Sequence, residues 1–185
     1  TKTYGTAYPS EVLIAQTWNK DLAKEVGDSM GQEYVDADNF GWYGPAMNIH
    51  RSAFAGRNFE YYSEDGVLSG YMAANEMNGA AVKGVYPYIK HFALNDQETN
   101  RCSFLLTFAS EQTIREGYLK ALGELKKQGS CPEVGRYTYL FHMIFSFYTF
   151  SASIQPAAIY GTIAHHHTIR KVQIIGMPHR FLPAC

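Results

Sequence analysis

Between Gly41 and Gln128 one order of elements occurs twice: a short apolar segment, a polar loop, then a stretch of helical period. Gly41 to Ile49 is the first apolar segment, and Asp65-Gly66 opens the helix behind its loop. Met72, Ala73, Met77 and Ala80 recur there with helical spacing, and Gly84 supplies a C-terminal stop. Val85 to Phe92 has strand composition. A further helix from about Ser110 to Gln128 turns Ile114, Tyr118, Leu122 and Leu125 inward, with Gly129 after it. A repeated strand, loop, helix order predicts an α/β fold with parallel strands. Ahead of this array, Pro9 and Ser10 precede a helical stretch, with Ser10 a candidate N-cap. Asn19 is a candidate cap for a second helix, in which Leu22, Val26 and Met30 repeat on one face.

In such arrays the chemistry collects at the C-terminal ends of the strands. The loop holding Arg57 follows the first apolar segment, and the loop from Lys90 to Arg101 follows the second. Both therefore open on one face, which pools their side chains into one candidate site. Fixed cations, neutral amides and flat aromatic rings are the groups that grip a polyhydroxylated ligand. A guanidinium at Arg57 can donate two parallel hydrogen bonds to vicinal hydroxyls; the alternative is a structural ion pair with Glu60 or Glu64. Gly56 lets the backbone turn before it. Lys90 and His91 are consecutive, and consecutive strand residues point to opposite faces. For both to reach one ligand, a bulge or a cis peptide must break the strand. Otherwise one of them packs outside, and a His beside Phe92 is by default a hydrogen-bonded core residue.

Asp96 and Glu98 invite a two-carboxylate glycosidase reading. A retaining pair needs carboxyl groups about 5–5.5 Å apart on opposite sides of the scissile bond. Two carboxylates two residues apart do not easily flank a sugar in that way, so Glu98 is read as holding Arg101 or capping the loop. No catalytic carboxylate is assigned. His165, His166 and His167 are consecutive, and three such residues cannot all face one metal from a regular helix or strand. No metal site is assigned.

Charge divides the chain in two. Residues 1–136 hold 30 of the 33 Asp, Glu, Lys and Arg residues, and 137–185 hold only Arg170, Lys171 and Arg180. The net charge of −1, with no basic stripe, argues against nucleic-acid binding. Cys102, Cys131 and Cys185 are odd in number and widely spaced, which fits free thiols in a reducing compartment. With no charged and apolar leader at Thr1, a cytoplasmic location is favoured, and a start in mid-domain is expected. In the tail, residues 137–150 contain seven aromatic residues in fourteen, with no clean helical or strand period. The uncharged run from Tyr137 to Ile169 exceeds the roughly 18–20 residues of a membrane helix. His142, Gln155, Pro156 and several hydroxyl residues dilute it, so a membrane span is disfavoured.

The strings GRNFEYYSED (residues 56–65) and YIKHFALNDQETNR (residues 88–101) resemble the N-terminal barrel domain of glycoside hydrolase family 3, the β-glucosidase family. The resemblance runs over about residues 5–128. It implies a partial (β/α)8 TIM-like barrel with parallel strands, because a complete barrel takes about 250 residues and this chain has 185. It divides the chain into a partial barrel domain, residues 1–129, and an aromatic-rich, non-matching C-terminal tail, residues 130–185. It implies that Arg57, Lys90, His91 and Arg101 bind hydroxyls of the sugar in the −1 position. It also implies retaining hydrolysis of terminal β-linked sugars, through a glycosyl-enzyme intermediate and without a cofactor. The partner it implies is a small carbohydrate such as a β-glucoside.

Four departures from the family pattern bear on this. The family's Asp-Gly-Pro loop would lie before Thr1, and the Ser/Thr-Asp-Trp/Tyr string that carries the nucleophile does not occur. Both make an inactive fragment the expectation. Pro87 falls in a strand that would be central, and Gly117 interrupts a helix; these bear only on local stability. Residues from about Ser130 onward are expected to lie outside family sequence, as a shifted reading frame would leave them. Two further readings remain: a non-catalytic carbohydrate-binding remnant, and a membrane-anchored protein.

Overall fold

The structure, a computed structural model, describes residues 5–99, 107, 109–129, 158–165 and 168–175. Helices α1 (Glu11–Gln16) and α2 (Lys20–Asp36) precede strand β1 (Gly41–Trp42). A 3-10 turn (Asn58–Glu60), helix α3 (Gly66–Val82) and strand β2 (Tyr86–Pro87) follow. Helix α4 (Glu111–Thr113) then runs through a π-helical segment (Ile114–Tyr118) into α5 (Leu119–Lys127). Strands β1 and β2 pair in parallel, Gly41 with Tyr86 and Trp42 with Pro87. The pairing continues as a parallel bridge between Ala46 and Lys90. The architecture is therefore α/β with parallel strands, although two strands do not by themselves make a barrel.

Helix starts follow local side-chain chemistry. Asn19 Oδ1 accepts from the N–H groups of Asp21 and Leu22, at 3.0 and 3.1 Å. Asp65 does the same for Val67 and Leu68, at 2.6 and 3.2 Å. Each satisfies two donors that the first helical turn leaves unpaired. Ser10 stands at the N-cap of α1 without a side-chain cap bond. Gly84 and Gly129 have φ of +81° and +65°, the left-handed stops expected after α3 and α5.

One apolar core joins α1, α2, α3, the π-helical segment and α5. Ile114, Tyr118, Leu122 and Leu125 all point into it. The buried face of α2 differs from the expected one. Ala23, Val26, Gly27 and Gly31 are buried, whereas Leu22 is 37% exposed. The cause is close packing against α3. A Cβ added at Gly27 would lie 1.9 Å from the carbonyl oxygen of Glu76, and one at Gly79 would lie 2.1 Å from that of Lys24. On the other side of α3, a Cβ at Gly70 would lie 2.3 Å from the carbonyl oxygen of Ala121. Backbones that approach this closely select the smallest residue.

Pro87 costs the β1–β2 ladder nothing. Tyr86 donates to Phe40 and Tyr88 to Trp42, at 2.8 and 2.7 Å, and Lys90 donates to Pro45 at 3.1 Å. The N–H groups used come from alternate residues, and Pro87 falls between them. Gly117 lies in the π-helical segment, where the helix continues through it.

In the tail, β3 (Ala158–His165) and β4 (Thr168–Ile175) pair antiparallel with each other, which the uncharged composition did not reveal. His165 faces Thr168 at the end of that ladder. Most of the aromatic-rich run, residues 137–157, lies outside the described residues, as do Cys102, Cys131 and Cys185. Among the described residues, no helix is long and apolar enough to cross a membrane.

Glu76 is the exception to the apolar core. Its side chain is 2% exposed and accepts a 2.5 Å hydrogen bond from the Tyr62 hydroxyl, itself fully buried. Burial pushes the Glu76 carboxyl up to about 8. The Tyr62 bond opposes that rise, and nearby Glu11 adds to it. The folded chain therefore holds a proton that the unfolded chain releases above the ordinary carboxylate range. Stability is full below the unfolded-state value and falls as pH rises toward about 8. Urea unfolding at pH about 5 and about 8 should show the loss, and Glu76→Gln, which keeps an acceptor for Tyr62, should reduce it, leaving the part due to Glu11, whose carboxyl is also raised, to about 7. A wild-type stability that rises over this range would contradict the assignment. The close α2–α3 contact has its own test. Gly27→Ala should destabilise by about 1–3 kcal/mol or more. Gly123→Ala, with open space at its Cβ, should stabilise by about 0.5–1 kcal/mol.

Candidate functional site

The site forms where the chain leaves the C-terminal ends of β1 and β2. After β1 the chain passes the cis Gly44–Pro45 bond and reaches Ile49, which bridges to Ser63; His50 N–H donates to the Ser63 carbonyl at 3.2 Å. That contact closes the base of the loop carrying Arg57. Inside it, Asn58 Nδ2 donates to the Ser52 carbonyl at 2.7 Å. His50 Nε2 lies 2.8 and 3.0 Å from the carbonyl oxygens of Asn58 and Tyr61. Both partners are acceptors, so Nε2 carries the proton and donates. This loop is thus held by its own polar groups.

The second loop begins at Lys90, whose carbonyl accepts from Met47 N–H at 2.5 Å. The Lys90–His91 peptide is cis, one of the two local breaks that the sequence demands if both side chains are to reach one ligand. Tyr61 joins the loops. Its ring is fully buried, and its hydroxyl donates to the Asn95 carbonyl at 2.9 Å. The same hydroxyl accepts from Asn95 Nδ2 at 2.7 Å and lies 3.2 Å from His91 Nδ1. The Tyr61 and His91 rings meet edge to face, with centroids 6.0 Å apart. Gly56 serves a close approach rather than a left-handed turn, because a Cβ there would lie 2.9 Å from Glu98 Cβ.

Three of the four sequence-selected cations and imidazoles come together. Arg57 Nη2 is 3.5 Å from His91 Nε2. Glu60 links Arg57 to Lys90: Oε1 takes Arg57 Nε, and Oε2 lies 3.2 Å from Lys90 Nζ. The side chains of Arg57, Glu60 and Lys90 are only 14%, 13% and 17% exposed, so water screens this cluster less than an open surface pair. Burial alone would raise the Glu60 carboxyl, but the bonds and charges of Arg57 and Lys90 hold it below the usual range. Arg57 Nη1 also lies 3.7 Å from Glu98 Oε2, and Lys90 Nζ stands 5.4 Å from the centre of the Tyr43 ring. Arg101 lies outside the described residues.

The acidic residues of the second loop are engaged by the protein. Asp96 accepts from the Tyr118 hydroxyl at 2.5 Å and from Asn48 Nδ2 at 3.2 Å. Glu98 lies beside Arg57, and Arg101, the partner read for it from sequence, is outside the described residues. Tyr61, His50 and Glu11 are the residues that sequence reasoning did not place in the site, and Glu60 was read only as an alternative partner for Arg57. Glu11 is pushed up to about 7, chiefly by burial and further by nearby Glu60, with Lys90 opposing. The ion pair of Arg57 with Glu60 was foreseeable from their i,i+3 spacing; its extension to Lys90 depends on tertiary contact.

Comparison with known proteins gives this arrangement a family. Residues 1–125 match the model described as the glycosyl hydrolase family 3 N terminal domain. Beta-glucosidase A of Butyrivibrio fibrisolvens is 46% identical over 125 residues, which is 68% of this chain and 15% of that protein. A beta-glucosidase of Ruminococcus albus is 49% identical over 112 residues, 60% of this chain and 12% of that protein. Among solved structures, beta-glucosidase 3B from Thermotoga neapolitana in complex with glucose superposes with a TM-score of 0.66 at 47% identity, covering 69% of this chain and 18% of that one. A beta-glucosidase from Streptomyces venezuelae in complex with D-glucose gives 0.63 at 35% identity, covering 68% and 16%. The chain thus spans less than a fifth of the length of these relatives. Over its first two thirds, this chain belongs to glycosyl hydrolase family 3.

Proposed function

We propose that this chain is a fragment of a retaining β-glucosidase-like hydrolase acting on terminal β-linked sugars. It keeps part of the sugar-binding site and is inactive alone. The observation that carries this reading is the convergence of Arg57, Lys90 and His91 at one end of a parallel strand pair. A guanidinium has five N–H donors. With Nε engaged by Glu60, the terminal nitrogens of Arg57 serve vicinal hydroxyls. Lys90 and His91 add donors beside them, and Arg101 is the fourth member on the strength of the family resemblance. Lys90 beside the Tyr43 ring gives the polar and aromatic pairing that a pyranose uses. In this reading β1 and β2 are strands of an incomplete (β/α)8 barrel, residues 1–129 are its domain, and residues 130–185 lie outside it.

The inactive state follows from chemistry. Retaining hydrolysis needs a nucleophile and an acid/base flanking the glycosidic bond. The nucleophile string does not occur in this sequence. Asp96 is tied to Tyr118 and Asn48, and Glu98 lies beside Arg57. The remaining cations and imidazole hold hydroxyls and stabilise no covalent intermediate. The same facts favour a second reading, a carbohydrate-binding remnant without catalysis.

The purified chain should bind methyl β-D-glucopyranoside, followed by amide chemical-shift changes, with the largest at Arg57, Lys90 and His91. Lys90→Ala should weaken that binding by about tenfold or more. An aryl β-glucoside with a good leaving group should remain unhydrolysed. Turnover that is lost on Asp96→Asn and Glu98→Gln would overturn the inactive reading. Shifts confined to other residues would overturn the site.

A further inference from the structure

Glu60 does more than pair with one neighbour. One carboxylate meets cations from two separate loops, Arg57 through Oε1 and Lys90 through Oε2. With Glu98 near Arg57, two carboxylates oppose these two cations. Glu60 and the two side chains it bridges are each less than a fifth exposed, so their charges must be balanced from within. A neutral sugar meets such a cluster as a set of oriented donors and acceptors. A sugar acid or phosphosugar meets Glu60 and Glu98 as like charges.

We propose that Glu60 sets the charge class of the ligand: together with Glu98 it offsets the charges of Arg57 and Lys90, leaving a donor-rich unit that accepts uncharged pyranosides and excludes anionic ones. This rests on the sugar-binding reading above and adds the residue that selects among sugars. Without the carboxylate, the two cations form an anion site, because a guanidinium and an ammonium recognise carboxylate and phosphate oxygens strongly. Glu60 acts through Arg57 and Lys90, so its role is positioning and charge selection.

The test uses the full chain with three probes: methyl β-D-glucopyranoside, methyl β-D-glucuronide and inorganic phosphate. Binding is read from the amide and side-chain signals of Arg57 and Lys90. The wild type should bind the glucoside and give no saturable change with glucuronide or phosphate. Glu60→Gln should gain affinity for glucuronide and phosphate by about tenfold or more. Glu60→Asp, which keeps the charge, should continue to exclude both. A purely structural role would weaken glucoside binding in the variants without any gain for anions, and that outcome overturns the proposal. Wild-type binding of glucuronide as tight as that of glucoside also overturns it, even if Glu60→Gln does not fold. Phosphate binding gained by Glu60→Gln in a chain that binds no glucoside would uphold the charge role of Glu60 and refute the sugar reading instead.

Discussion

Helix α3 is buried between α2 and α5, and glycines at the contacts let the three backbones come together. Gly27 and Gly79 bring α2 against α3, and Gly70 brings α5 against the opposite side. This contact depends on what is missing from a side chain, so even a methyl group meets a carbonyl oxygen. The geometry of the site depends on it. The loop carrying Arg57 leads directly into α3 through the Asp65 cap, and β2 leaves α3 through Gly84. Fixing α3 therefore fixes both loops that contribute to the site.

The loops are then joined by polar contacts rather than by apolar packing. Tyr61 reaches Asn95 and His91, and Glu60 reaches Lys90. Such contacts depend strongly on burial. Exposed pairs like Lys127 with Glu124, where the lysine is 69% exposed, are worth about 0–1 kcal/mol. The Glu60 cluster is much less exposed, and removing one partner leaves the others uncompensated. A site built this way comes preorganised, with its donors aimed before a ligand arrives.

Much of this was legible in the sequence, and the remainder has identifiable physical causes. Arg57, Lys90 and His91 could be grouped because the βαβ order places both loops at one end of the strands. The buried face of α2 was misread at Leu22 because a periodic large residue looks like core, while close helix packing selects glycine instead. Glu76 falls four residues after Met72 and four before Ala80, on the same helical face. The spacing itself marked it as buried, but its charge concealed it. Glu60 was seen as a partner for Arg57 because the two are near in sequence; the contact with Lys90 crosses thirty residues and needs the fold. The β3–β4 hairpin escaped notice because a region almost without charge gave no contrast between faces. Pro87 looked unfavourable for a central strand until the ladder proved to use its neighbours.

The most direct measurement of the central claim, that the two loops close on each other around one site, is the nuclear Overhauser contact between Tyr61 and His91 in solution. Their rings meet edge to face with centroids 6.0 Å apart, and Asn95 Nδ2 bonds the Tyr61 hydroxyl at 2.7 Å. The account predicts cross-peaks between Tyr61 and His91 ring protons, together with slow exchange of the Tyr61 hydroxyl proton. Both should be present without any ligand. A His91 ring with random-coil shifts and no contact to Tyr61 would contradict the claim.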